Sequence, residues 1–321
     1  MKFIKQLFEI ESKPKRGLLP LEWLVVAYTA VTLGIILFTY TRLPNPESMI
    51  WGRARIMAMT LALWIVYRLV PCRLTRCIRS IAQLSLLSWW YPDTYEINRI
   101  FPNLDHVFCA WEQQLFGCQP SLRFVEACPW HVVSELMSMG YAAYYPMIAL
   151  TAFYYLFARY GEFERATFIV MASFLVFYLI FIFVPVAGPT YYFRAVGLDS
   201  IAEGVFPAIN DYFNFHKECL PTPGYTDGFF YGLVEDAKAA GERPTAAFPS
   251  SHVGVATVCM LLSAHTGNRK LVYMQLPFYV FLCMATVYIQ AHYAIDAIAG
   301  LVSGGLIYLT LLVCTRQMTH K

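Results

Sequence analysis

Charged residues are scarce in this chain: they make up 14% of its 321 residues, against roughly 25% in a soluble domain. This composition excludes a disordered chain, a coiled coil and collagen. The chain also lacks a dense basic run interleaved with aromatic residues, so we expect no nucleic-acid partner. Apolar residues are abundant instead, at 58% with a mean hydropathy of +0.49, and much of the surface must therefore face lipid.

Long apolar runs predict membrane-spanning helices, each of which needs about 20 residues. The candidate spans are Leu21–Tyr40, Ala54–Val70, Ile78–Tyr91, Val132–Phe157, Ala166–Val186, His252–His265, Leu271–Ala291 and Ile295–Val313. The run 78–91 is short and is also compatible with an interfacial helix, which would leave seven spans. Eight spans put fifteen of the 24 Lys and Arg on the side of both termini, as the positive-inside rule favours. We therefore predict an all-α, polytopic transmembrane bundle of about eight spans, with a six-helix core and cytoplasmic termini.

The polar segments divide the chain into regions. We expect a cytoplasmic amphipathic N-terminus (1–19), N-terminal membrane helices (20–92), an external loop (93–131), a catalytic membrane core (132–314, including external loop 187–251) and a cytoplasmic tail (315–321). In the first region, Lys2–Phe8 has the helical spacing of an interfacial helix, and a short frayed tail is the alternative.

The nine cysteines do not predict a metal site, because no pair shows the close CxxC spacing that structural zinc prefers. Four of them lie in the predicted external loops and could pair in an oxidising compartment: Cys109, Cys118, Cys128 and Cys219.

A first motif precedes the apolar run at His252. It reads RPTAAFPSSH over 243–252, and its proline and serines predict a helix start with a serine cap. The N-terminus of a helix is an anion site. His252 would therefore lie in the first helical turn, beside free backbone N–H groups that can hold a phosphate.

A second motif follows at the far end of the next span. His292 and Asp296 are four residues apart, so on a helix they share a face, and the carboxylate can hold one ring nitrogen. The turn at Thr266–Lys270 makes the two spans antiparallel, which brings His252 and His292 to the same membrane face. Each motif alone also fits an ordinary interfacial histidine or a helix-stabilising pair; their combination favours an active site.

These motifs resemble a known family. PSSH at 249–252 and HYAID at 292–296 resemble the second and third signatures of the type-2 phosphatidic acid phosphatase superfamily of lipid phosphatases and phosphotransferases. Phe248–His252 and Ala291–Gly300 look most like the inositol phosphorylceramide synthase branch. The resemblance covers roughly 130–314, with a weaker echo at 115–120. The departures fit that branch better than a simple phosphatase: a serine (Ser251) replaces the signature glycine, and a threonine (Thr286) replaces an arginine.

The resemblance implies roles for the site residues. His252 would attack phosphorus and form a phosphohistidine, His292 would act as acid and base, and Asp296 would orient His292. Arg243 is the first candidate for phosphate binding. Lys238 and Arg194 are weaker candidates, with solvation of the loop as the alternative, and Ser250 and Ser251 either bind phosphate or only cap the helix. Tyr191 and Tyr192 either line a headgroup pocket or belong to the interfacial aromatic belt. Neither a metal ion nor a cofactor is implied.

The implied function is lipid phosphotransfer at the non-cytoplasmic face, which is periplasmic, external or luminal according to the host. The expected reaction moves phosphoinositol from phosphatidylinositol to a ceramide-type alcohol, and hydrolysis of a lipid phosphate is the alternative. A transporter with a proton relay is disfavoured, because the sequence shows no inverted repeat. The expected partners are membrane lipids, with no obligate protein partner evident.

Overall fold

The computed structural model describes residues 7–12 and 14–319, so most of the predicted interfacial helix at Lys2–Phe8 lies outside the described residues. The described chain is an all-α bundle, which confirms the predicted fold class. Its α-helices are α1 (Pro20–Phe38), α2 (Pro46–Leu69), α3 (Arg73–Ser85), α4 (Leu87–Asn98), α5 (Asp105–Phe116), α6 (Pro120–Ala127), α7 (His131–Ala142), α8 (Tyr144–Ala158), α9 (Tyr160–Phe183), α10 (Pro189–Val196), α11 (Leu198–Ala202), α12 (Phe229–Gly241), α13 (Ser251–His265), α14 (Arg269–Tyr288) and α15 (Ala294–Cys314).

Among the described residues, five helices are long and apolar enough to cross a membrane: α1, α2, α9, α14 and α15. Helix α13 is apolar but has only 15 residues. These helices identify a membrane protein. The sides on which the termini and the site lie stay predictions from the charge distribution.

Two predicted spans are interrupted in the structure. The run 132–157 is not one helix, because α7 ends and α8 begins around Ala143. This break places Pro146 in the first turn of α8, where a missing backbone N–H costs no hydrogen bond. The run 78–91 is divided at Leu86 between α3 and α4, which have 13 and 12 residues. Neither piece alone has the roughly 20 residues that a span needs.

Helix α9 is the central helix of the bundle. It packs against α1, α4, α8 and α13, and most of its side chains are buried. The rings of Phe177 and Phe181 are fully buried on it. Gly254 of α13 faces Phe177, where a Cβ atom would collide with the ring. The start of α13 is therefore held closely against the core.

The last three helices bring the two sequence motifs together. Helices α13 and α15 run parallel, and α14, which connects them in the chain, runs in the opposite direction. Their close approach requires glycine: a Cβ on Gly304 would collide with the carbonyl oxygen of Gly254, and a Cβ on Gly300 with that of Ser250. The N-termini of α13 and α15 therefore lie side by side.

The N-terminal helices are joined by buried ion pairs. Arg53 of α2 is 2% exposed and donates two hydrogen bonds to Asp93 of α4, at 3.0 and 2.7 Å. Its guanidinium also lies against the rings of Trp89 and Trp90. Arg79 of α3 pairs in the same way with Glu22 of α1, and both side chains are fully buried. Each bidentate pair joins two helices: Arg53–Asp93 joins α2 to α4, and Arg79–Glu22 joins α3 to α1.

The four cysteines of the predicted external loops are unpaired in the structure. Cys109 is buried, and its Sγ lies 3.3 Å from the hydroxyl of Tyr293. Cys109 therefore packs against the residue that follows His292 in the second motif.

Candidate active site

His252 and His292 form a hydrogen-bonded pair at the start of α13. Nδ1 of His252 lies 3.2 Å from Nε2 of His292, and Nδ1 of His292 lies 2.8 Å from the carbonyl oxygen of Ala247. Because a carbonyl only accepts, Nδ1 of His292 must carry a hydrogen. In the neutral ring, Nε2 of His292 then accepts from Nδ1–H of His252. The Ala247 carbonyl therefore fixes the tautomers of both rings.

His292 lies in the loop between α14 and α15 and is 3% exposed. Burial lowers the pKa of His292 to about 4, although the Ala247 carbonyl and the Glu242 carboxylate act in the opposite direction. The ring is therefore neutral at neutral pH, as a nucleophile or a base requires. The backbone N–H of His292 donates to the carbonyl of Thr286 at 2.9 Å. Thr286, which stands where the signature has arginine, thus shapes the histidine loop.

Asp296 does not make the contact that the sequence predicts. Helix α15 begins at Ala294, so His292 precedes the helix and shares no helical face with Asp296. Oδ2 of Asp296 lies 3.8 Å from Nδ1 of His292, too far for a hydrogen bond, and accepts from the backbone N–H of Tyr293 at 2.9 Å. Asp296 therefore positions the start of α15, and the group that orients His292 is the carbonyl of Ala247.

Two tyrosine rings enclose the ring of His252. Tyr141 stacks on it with a centroid distance of 4.8 Å, and Tyr144 packs at 4.5 Å in a tilted orientation. The hydroxyl of Tyr141 donates to Oε1 of Glu242 at 3.0 Å. These contacts cover part of the His252 ring, which remains half-buried, and they could not be read from sequence spacing.

The two serines of the first motif have structural positions. Ser250 is fully buried and caps α13, since its Oγ accepts from the backbone N–H of Val253 at 3.3 Å. Its backbone N–H donates to the carbonyl of Asp296 at 3.0 Å, which ties α13 to α15. Ser251 is the first residue of α13, and its carbonyl lies 3.5 Å from the hydroxyl of Tyr144. Phosphate binding by either serine stays a prediction.

The three basic candidates lie in different surroundings. Arg243 is half-buried, and its Nη1 donates to the carbonyl of Glu242 at 3.0 Å. Lys238 is engaged elsewhere: its Nζ lies 3.3 Å from Glu235 and 2.5 Å from Thr222. Arg194 is exposed in the last turn of α10. Of the three, Arg243 directly follows Glu242, whose carboxylate binds Tyr141 beside His252. Phosphate binding by any of them stays a prediction.

The two tyrosines of α10 differ in their availability. Tyr192 is fully buried, and its hydroxyl donates to the carbonyl of Pro207 at 2.8 Å, so it holds the loop. Tyr191 packs on Phe213. Burial, and after it the charge of Glu242, raises the pKa of Tyr191. A headgroup role for Tyr191 stays a prediction.

Sequence analysis missed Asp105, which lies in the region assigned to an external loop. Its carboxylate accepts from the backbone N–H groups of Ala187 and Gly188 at 2.7 and 2.8 Å, and from the hydroxyl of Tyr293 at 2.9 Å. Burial raises the pKa of Asp105. One side chain thus links the end of α9 to the residue after His292. An isolated acid in a polar segment carries no sequence signal for such a role.

Glu112 was missed for the same reason. This residue of α5 is fully buried, and its Oε1 accepts from the backbone N–H groups of Ala294 and, at 3.2 Å, Ile295. These are the first two residues of α15, so Glu112 caps that helix from a distant part of the chain. Burial raises the pKa of Glu112 to about 8.

Removal of the Glu112 cap is expected to disturb His292 through the backbone. Glu112→Ala should lower the free energy of unfolding by about 1–3 kcal/mol, because it leaves buried N–H groups unpaired. It should also reduce kcat with little change in KM. Glu112→Gln keeps an oxygen acceptor and should retain most of both quantities. Wild-type turnover by Glu112→Ala would show that His292 does not depend on this cap.

The chain belongs to the PAP2 superfamily, whose family model matches residues 106–310, more than half of the sequence. Members are generally phosphatases or phosphotransferases, which supports an enzyme with lipid phosphatase or phosphotransferase chemistry. The match includes α5, and thus Glu112, in addition to the two histidine motifs. No curated protein and no solved structure matches the chain.

Proposed function

We propose that this protein is a membrane lipid phosphotransferase that moves a phosphoryl headgroup from a glycerophospholipid to a lipid alcohol through a phosphohistidine. The observation that carries the proposal is the 3.2 Å contact between His252 and His292, with both tautomers set by Ala247. A nucleophile beside an acid–base group that a third group orients is the arrangement of covalent catalysis.

The direction of the hydrogen bonds favours His292 as the nucleophile, which reverses the roles that the motifs implied. Because Nδ1 of His292 donates to Ala247, the lone pair is on Nε2 and faces His252. His252 turns an N–H group towards the same gap. The second lone pair, on Nε2 of His252, lies on the side of that ring away from His292. When phosphorus separates the two rings, the lone pair that it meets between them belongs to His292, and the proton donor is Nδ1–H of His252.

Two steps complete the transfer. In the first, His252 has bound a second proton at Nε2, and the negative charge of the bound phosphate stabilises this imidazolium form. An N–P bond forms at Nε2 of His292, the P–O bond to diacylglycerol breaks, and Nδ1–H of His252 protonates the leaving oxygen. The Ala247 carbonyl stabilises the positive charge that develops on the His292 ring. In the second step, the acceptor hydroxyl attacks phosphorus, His252 takes its proton, and the N–P bond breaks. His292 returns to its neutral form.

The enclosure of the pair supports transfer rather than hydrolysis. Tyr141 and Tyr144 pack on the His252 ring, and His292 is buried, which limits the water around the pair and lets a lipid alcohol compete for the phosphoryl enzyme. We propose Arg243 as the residue that holds the phosphate oxygens, because its planar fork suits them. Phosphatidylinositol and a ceramide-type alcohol are proposed on the resemblance of Phe248–His252 and Ala291–Gly300 to the synthase branch. The charge distribution supports a non-cytoplasmic active face.

The proposal is tested with purified protein in mixed micelles that contain phosphatidylinositol, a fluorescent ceramide and EDTA. The expected result is a new charged fluorescent lipid with wild type, and none with His292→Asn. EDTA should have no effect, since no step uses a metal. A parallel assay with phosphatidic acid measures free phosphate. Phosphate release without any lipid product would make the protein a lipid phosphatase and overturn the transferase proposal.

A further inference from the structure

Glu242 is a carboxylate beside the histidine pair that the transfer steps do not use. It follows α12 and precedes Arg243 in the chain. Its Oε1 accepts from the hydroxyl of Tyr141, at 3.0 Å, and the Tyr141 ring stacks on His252. Glu242 therefore lies at the hydroxyl end of the ring that stacks on His252.

The charge of Glu242 has no basic partner in the part of the chain that the structure describes. The guanidinium of Arg243 turns to the backbone carbonyl of Glu242, not to its carboxylate. Lys238, a turn earlier, pairs with Glu235. The second carboxylate oxygen of Glu242 makes no hydrogen bond with the described residues, so it is free to accept one.

The negative charge of Glu242 affects the pKa of two residues, His292 and Tyr191. Burial lowers the pKa of His292, and Glu242 raises it in part. Burial and Glu242 both raise the pKa of Tyr191. A phosphate bound at His292 would therefore experience the negative charge of Glu242. Like charges at short range in a site sheltered from water repel each other strongly.

We infer that Glu242 is a specificity-determining residue that selects phosphodiester donors with a hydroxyl-bearing headgroup and rejects phosphomonoesters. This inference rests on the proposed function. A phosphomonoester carries up to two negative charges near neutral pH, whereas a phosphodiester carries one, so the carboxylate opposes the monoester more. The free oxygen of Glu242 accepts a hydrogen bond from a headgroup hydroxyl, which only the diester supplies.

The test compares two activities in the same micelles: headgroup transfer from phosphatidylinositol and phosphate release from phosphatidic acid. Glu242→Gln removes the charge but keeps an oxygen that can accept from Tyr141. The ratio of phosphate release to transfer should rise at least tenfold in this variant. Glu242→Asp keeps the charge and should show no such rise. Asp236→Asn removes a charge from an exposed position of α12 and should keep the wild-type ratio.

The outcomes separate this inference from the proposed function. If wild type transfers the headgroup and Glu242→Gln shows a ratio within twofold of wild type, only the role of Glu242 is overturned. An equal rise in Asp236→Asn would also overturn it, because any loss of negative charge would then suffice. If wild type releases phosphate and transfers nothing, both proposals fail. Unchanged elution of Glu242→Gln in size-exclusion chromatography verifies that the variant is folded.

Discussion

Replacing His292 by asparagine is expected to abolish turnover of every donor, whereas replacing His252 should spare donors whose leaving group needs no proton. The difference follows from the hydrogen bonds: Ala247 leaves the lone pair on His292, and His252 presents an N–H group to the same gap. A phosphodiester of p-nitrophenol has a leaving group that departs as an anion, so it does not need the acid.

With phosphatidylinositol, the proposed donor, both variants should be slow. His292→Asn should lose at least about 10⁴-fold in kcat, and His252→Asn about 10²- to 10⁴-fold. With the p-nitrophenyl donor, the first burst of p-nitrophenolate should persist in His252→Asn and vanish in His292→Asn. The opposite pattern would show that His252 is the nucleophile, as the motifs alone implied. Release of p-nitrophenolate is followed by its absorbance.

Removing one partner of the buried Arg53–Asp93 pair is expected to give the largest loss of stability. Asp93→Ala leaves a guanidinium that is 2% exposed without its bidentate partner. Such a loss costs about 3–5 kcal/mol, because a buried charge is left uncompensated. Thermal unfolding in detergent measures the change. The double variant Arg53→Met with Asp93→Leu should recover much of it, since it removes both charges.

An exposed ion pair provides the matched control. The side chains of Arg123 and Glu126 are 71% and 62% exposed, so Glu126→Ala should cost less than about 1 kcal/mol. If Asp93→Ala cost no more than Glu126→Ala, the ion pair between α2 and α4 would not hold the N-terminal helices together.

The features that sequence analysis predicted depend on local patterns. Long apolar runs are sufficient to predict an all-α membrane bundle. The proline and serines at 249–252 are sufficient to predict the start of α13 and its serine cap. The predicted hydrogen bond between Asp296 and His292 is absent, because four-residue spacing places two side chains on one face only within a continuous helix. Gln290 adopts a positive φ of 63°, which ends the previous helix before His292 without a glycine or proline to announce it.

The remaining features depend on contacts between distant parts of the chain. The group that orients His292 is a backbone carbonyl, which no side-chain pattern can indicate. Asp105 and Glu112 are isolated acids in a polar segment, yet each binds the start of α15 from almost two hundred residues away. Glu242 is connected to His252 only through Tyr141 of α7, whose hydroxyl binds Glu242 and whose ring stacks on His252.

A phosphoryl group on His292 is the most direct consequence of the proposed mechanism. Wild-type protein is mixed with phosphatidylinositol labelled at phosphorus, without an acceptor, and quenched at alkaline pH, where phosphohistidine survives. Peptide mass spectrometry should locate the label on His292, and addition of ceramide before the quench should move it to a lipid product. Label on His252, or no labelled peptide while lipid product forms, would contradict the mechanism.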